Sequence, residues 1–245
     1  MGRTLQSIVV GVLLIAANSP PSRADGARED EQLNAAVAVE NDSGDFQALE
    51  KLVLRTSHAR AFREDGRLTL FFGDDQQLTI QDHDCSSSRM LAESCVSHYL
   101  LADLPSRHAF VVLAKHQYIG RREIWLIDDR SGRQATLPAV PQFGPGGSEF
   151  ITFDNDVAYG KPGIAIWQWR DGTAQAIWRH DIKLDPLYHA TALVRWAKPD
   201  AISLDLWCSS GPHWSARALR GPDGWRLDTK WPQVNRRACG NPDID

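Results

Sequence analysis

The chain has 245 residues, 42 % hydrophobic and 24 % charged, with 27 basic and 31 acidic side chains and a formal net charge of −4. That length can bury a self-sufficient core, as one full domain or two small ones. The mild acidity excludes nucleic acid as a partner: phosphate binding rests on clustered Lys and Arg, and the longest basic runs here are the pairs Arg121-Arg122 and Arg236-Arg237.

The first segment reads as a cleaved export signal. Arg3 gives a positive start, Ile8 to Ala17 a short apolar core, and Ser22-Arg23-Ala24 small residues at −3 and −1 before Asp25. The apolar run is much shorter than the ~20 residues of a spanning helix, so no membrane span is expected. No cysteine follows the run, so no lipid anchor is implied either. Removing residues 1–24 takes away Arg3 and Arg23 and moves the net charge from −4 to −6. The expected location is the periplasm or the medium, where cysteines oxidise. Four cysteines, Cys85, Cys95, Cys208 and Cys239, permit three pairings. The sequential pairs Cys85–Cys95 and Cys208–Cys239 are expected, because each would staple a local feature.

Residues 25–45 are polar and acidic, with Asp25, Glu29, Asp30, Glu31, Glu40, Asp42 and Asp45. They read as a flexible, loosely ordered arm ahead of a single β-rich domain spanning 46–245. Leu33 to Val39 could form a short helix, and Phe46 to Leu52 a helical turn or the entry to a strand. Short apolar runs separated by turn residues follow. Arg67 to Phe72 leads through Gly73-Asp74-Asp75 into Gln77 to Ile80, and Ala109 to Leu113 comes next. Glu123 to Ile127 crosses Ser131-Gly132 into Gln134 to Leu137. Glu149 to Phe153 precedes Ile164 to Trp169, which crosses Asp171-Gly172 into Ala174 to Trp178. Ala190 to Trp196, Ala201 to Trp207 and Ser215 to Leu219 end the series, the last crossing Pro222-Asp223-Gly224 into Trp225 to Leu227. Such turns are hairpin signals, since glycine accepts the positive φ they require.

Equivalent points recur along these strands: Phe110 and Phe150 are 40 residues apart, Trp125 and Trp167 42, Gly132 and Gly172 40, and Gly172 and Gly224 52. A period near 40 with several strands per unit is a blade-like spacing. Trp125-Leu126-Ile127-Asp128-Asp129-Arg130-Ser131-Gly132-Arg133, followed by Phe143-Gly144-Pro145-Gly146-Gly147, resembles bacterial β-propeller repeats, with the likeness spanning residues 97–228. The expected fold is all-β, a small propeller-like array of about four antiparallel units, with a two-layer β-sandwich as the alternative.

Chemistry-bearing clusters are sparse. Asp82-His83-Asp84 reads as a polar loop held by the Cys85 disulfide, because neighbours on a strand point to opposite faces. Asp154-Asn155-Asp156 resembles the start of a calcium loop but lacks its glycine and terminal glutamate. His180, Asp181, Asp185 and His189 form a looser set, and no G-x-S-x-G elbow occurs. No catalytic residue, metal or cofactor is therefore assigned. Most of the nine tryptophans fall at strand positions, where core packing is their ordinary role. Trp207, Trp214, Trp225 and Trp231 gather near the second cysteine pair with His213 and Arg226, and these six form the candidate partner- or ligand-binding surface. The expected protein is an exported, non-catalytic binder, of inhibitor or immunity type, for an envelope-acting enzyme. The alternatives are a lectin-like binder of glycan or peptidoglycan, and an envelope hydrolase using Asp82, His83, Asp154 and Asp156.

Overall fold

In this computed structural model the described residues are 23–41, 44–57, 59–73, 76–83, 95–117, 120–154, 163–181, 190–208 and 213–228. Residues 1–22 of the predicted signal lie outside them, whereas the predicted cleavage position, after Ala24, falls inside the first described segment.

The segment expected as a flexible arm is instead a helix, α1 (Arg23–Asn41). Its composition favours that state: Ala24, Ala27, Ala35, Ala36 and Ala38 alternate with Glu, Gln and Leu, and no proline interrupts. The pattern hides the helix because the buried face is largely polar, with Glu29 and Gln32 inside beside Leu33 and Ala36. α2 (Phe46–Thr56) starts where the Asp45 carboxylate accepts from the backbone N–H of Gln47 and Ala48, each at 3.0 Å. It buries Phe46, Leu49, Glu50 and Val53, the stripe of one helix face.

Fifteen strands are described: β1 (Ala61–Glu64), β2 (Arg67–Phe71), β3 (Gln77–Gln81), β4 (Val96–Leu104), β5 (Ala109–His116), β6 (Arg122–Asp128), β7 (Gln134–Leu137), β8 (Gln142–Phe143), β9 (Glu149–Asp154), β10 (Gly163–Arg170), β11 (Thr173–Asp181), β12 (Ala190–Lys198), β13 (Ala201–Cys208), β14 (His213–Gly221) and β15 (Gly224–Leu227). They form four antiparallel meanders of consecutive strands: β1–β3, β4–β7, β8–β11 and β12–β15, sheets 1 to 4. The fold is therefore all-β in its body, built of about four antiparallel units, and no pairing among the described strands closes a barrel. Among the described residues, no helix is long and apolar enough to cross a membrane.

The sequence landmarks fall at equivalent places. Phe110 and Phe150 lie on the second strands of sheets 2 and 3, Trp125 and Trp167 on the third strands, Gly132 and Gly172 before the fourth strands, and Gly224 at the start of the fourth strand of sheet 4. The Asp171-Gly172 hairpin has φ of 50° and 71° at its two turn residues, the mirror-image turn that matches strand twist. Sheet 1 has three strands. α2 precedes it in the chain and packs on β1 and on β4.

One core cluster joins α1, α2 and sheets 1 and 2 to Phe143, Phe150 and Trp169 of sheet 3. A second, with Ile151, Ile164, Ile166, Val194, Ile202, Leu204 and Trp225, joins sheets 3 and 4. α1 runs along β4 and touches β8, the first strands of their sheets. Cys95 is buried, and among the described residues no cysteine is a free thiol. Cys85, Cys239 and the side chain of Cys208 lie outside the description, as does their pairing.

Candidate functional site

Three turns meet at one end of the sheets. The β4–β5 connection is a single helical turn, Pro105–Arg107, where proline suits the first position. It closes on His108, whose φ of 52° and ψ of 49° are left-handed, a conformation uncommon outside glycine. The β6–β7 turn folds around Asp128, whose Oδ1 accepts from the Ser131 backbone N–H and hydroxyl, both at 2.7 Å. The β10–β11 turn rests on it. A Cβ at Gly172 would lie 3.0 Å from Asp128 Cβ and 3.1 Å from Arg133 Cβ. Only glycine allows that approach. Between the three turns opens a cleft of about 400 Å³, lined by Arg107, His108, Asp128, Arg130, Ser131, Trp169, Arg170 and Asp171.

Buried charge holds this end together. Arg107 pairs with Glu29 at 3.1 Å and Asp30 at 2.6 Å, and its guanidinium stands 5.0 Å from the Phe143 ring centre. Glu29 also accepts from the Ser106 N–H at 2.6 Å and from its hydroxyl, so α1 is tied to the turn. Arg60 bridges Asp103 at 3.0 Å and Asp129 at 2.6 Å, and Asp129 reaches His108 Nδ1 at 3.2 Å. Burial pushes the Asp103 carboxyl up to about 6, against the pull of Arg60 and Arg28. Trp169 closes the back, donating its indole N–H to the Arg107 carbonyl at 3.3 Å.

A second ionic cluster joins α2 to sheets 1 and 2. Arg63 pairs with Glu50 at 2.7 Å and Asp82 at 2.8 Å and donates to the His98 carbonyl. Asp82 Oδ1 accepts from the His98 backbone N–H at 2.8 Å and meets its Nδ1 at 3.1 Å. Burial alone would raise the Asp82 carboxyl, but the His98 donors and the Arg63 charge outweigh it and hold it below its ordinary range. Asp82 thus serves as a tie between strands. His83 is exposed beside it, and its backbone N–H bonds to the Val96 carbonyl at 2.9 Å. Asp154 is buried near Glu40. Asp84, Asn155, Asp156, Asp185 and His189 lie outside the described residues. Among the described residues, no group of three His, Cys, Asp or Glu is placed to hold a metal ion.

The six residues of the predicted aromatic surface are placed as follows. Trp225 is 8 % exposed, in the core between sheets 3 and 4, edge-on to Trp196 at 5.8 Å and under the Arg220 guanidinium. Arg226, one residue on, is exposed. Strand register sets Trp207 opposite His213 and Trp214 opposite Leu206, and their side chains lie outside the description, as does Trp231. Other tryptophans bind sheet to sheet or strand to strand: Trp196 donates to the Gln142 carbonyl and Trp167 to the Thr152 hydroxyl, both at 2.9 Å.

The cleft residues Arg107, His108, Arg130, Trp169 and Arg170 were not singled out from sequence. One signal was present: Arg130 and Arg170 are 40 residues apart, each two before a repeat glycine.

No protein-family model matches the chain, and no curated protein does. A solved structure from an analysis of two prolyl endopeptidases is similar at 14 % identity and a TM-score of 0.39, over 89 % of this chain and 36 % of that one. This chain thus spans about a third of that chain's length.

Proposed function

We propose that the protein is an exported binding protein of the cell envelope that engages a protein partner through the end of the sheets where the cleft opens. The observation that supports this reading is the cleft itself. Its rim carries the exposed cations Arg130 and Arg170, while the framework beneath is locked by buried ion pairs. A rigid base with exposed charged groups at its mouth suits recognition, where preorganisation limits the ordering cost of binding. Export is read from Arg3, the Ile8–Ala17 core and Ser22-Arg23-Ala24, and the sequential pairs Cys85–Cys95 and Cys208–Cys239 belong to the same reading. We also take the four meanders as a small propeller-like array, supported by the equivalent places of Phe110 and Phe150, Trp125 and Trp167.

The test is capture from an envelope extract on the tagged protein, comparing the parent with the double variant Arg130→Glu/Arg170→Glu and with Arg217→Glu, an exposed arginine on sheet 4. One stoichiometric protein is expected with the parent and with Arg217→Glu, and lost in the double variant. Retention of glycan alone, or capture that ignores the double variant, would overturn the reading.

A further inference from the structure

We propose that the cleft takes an extended acidic peptide segment, with Arg130 and Arg170 binding its side-chain carboxylates. This rests on the partner-binding reading and names the chemistry that the partner presents.

Most charges around the cleft are already matched. Arg107 is held by Glu29 and Asp30, Asp129 by Arg60 and His108, and Asp128 turns its carboxylate into its own loop against Ser131. Two cations remain. Arg130 makes no ion pair among the described residues. Among the described residues Arg170 pairs only with its neighbour Asp171, at 3.4 Å with side chains 82 % and 86 % exposed, a contact that solvent renders weak. These two guanidiniums stand on different hairpins at the same repeat position. Their hairpins are clamped together, since the Gly172 Cα side leaves under van der Waals distance for any Cβ against Asp128 and Arg133. The spacing of the two arginines is therefore built into the fold.

Charge and shape select the ligand class. A planar guanidinium pairs in two-pronged fashion with a carboxylate. Asp128 and Asp171 also line the cleft and oppose a multiply charged group such as phosphate more strongly than single carboxylates. The volume of about 400 Å³ lies in the range of small-ligand sites, which fits a short stretch of chain. His108, fixed through Nδ1 on Asp129, and the Trp169 ring behind it give such a stretch one polar and one apolar wall.

The probe is a blocked tetraglutamate peptide, titrated calorimetrically into the purified protein at low and moderate salt, with inorganic phosphate as a separate arm. The peptide is expected to bind, more weakly as salt rises. Arg130→Gln/Arg170→Gln should weaken it at least tenfold and Arg217→Gln should leave it unchanged. Gly172→Ala, which keeps both arginines but forces the hairpins apart, should weaken it several-fold. No peptide binding, phosphate binding tighter than peptide, or indifference to the double variant would each overturn the proposal. If the envelope capture depends on Arg130 and Arg170 while the peptide fails, the ligand class alone falls; if neither depends on them, both readings fall.

Discussion

Glu29 is fully buried, yet it carries one carboxylate for three donors: Arg107, the Ser106 N–H and the Ser106 hydroxyl. Truncating it leaves the Arg107 guanidinium, itself 9 % exposed, with its other partner Asp30 at the surface. Glu29→Ala should therefore cost about 3–5 kcal/mol, read as a lowered urea midpoint at unchanged slope. Trp225 makes the opposite case. Among the described residues its indole nitrogen is buried without a hydrogen-bond partner, so the ring contributes through packing and its face contact with the Arg220 guanidinium. Trp225→Ala should cost about 3–5 kcal/mol. Trp225→Phe should cost under about 1.5 kcal/mol, because losing the unpaired donor offsets part of the lost area. A larger penalty for Phe in chemical unfolding would place a bonded donor at this position. Tryptophan position in sequence spoke to strands but not to which face each ring takes. Trp225 and Arg226 are adjacent and alternate between core and solvent.

At the level of elements, the hairpins were legible, whereas the helices were legible only as short pieces, Leu33–Val39 of α1 and Phe46–Leu52 of α2. Turn chemistry is local: Asp171-Gly172 fixes its own backbone, and the flanking apolar runs need no distant partner to be recognised. α1 depends on distant partners instead. Its buried Gln32 accepts from the Asp103 N–H at 2.9 Å and its Glu40 from the Val140 N–H at 3.1 Å, so its polar face looks solvent-facing until those strands are in place. The same partners make its docking pH-dependent. Burial pushes Glu40 up to about 7 from an ordinary 4.5, with Arg122 and the Val140 N–H pulling down, and Asp103 up to about 6 from 3.8. A carboxyl whose pKa is raised on folding binds its proton more tightly in the native state. Stability therefore falls as pH rises from about 4 toward 7 and then levels. The melting temperature should drop by roughly 4–8 °C between pH 5.5 and pH 8, and Glu40→Gln should flatten much of that drop. Asp82, held low, acts with the opposite sign: its contribution is lost as pH falls below the ordinary carboxylate range. The maximum is expected in weak acid.

For the whole molecule, the repeat was readable because each sheet is made of consecutive strands, so its signals lie close together in the chain. The cleft was not, because Arg170 of sheet 3 joins Arg107 and Arg130 of sheet 2 only when the two sheets stack, as Gly172 does against Asp128. The capture experiment asks whether stacking creates a surface that no single sheet has. The seat of α1 also has a consequence in time. Its supports are β4 and β8, and Phe143 of β8 follows Asn41 by roughly 100 residues, or about 5–20 s of synthesis at 5–20 residues per second. Sheets 1 and 2 can assemble as they emerge, whereas α1, made before them, waits for strands not yet translated. Of the described elements α1 is the first made, yet it seats only once β4 and β8 exist, and until then the first strands of sheets 2 and 3 lack their helical cover.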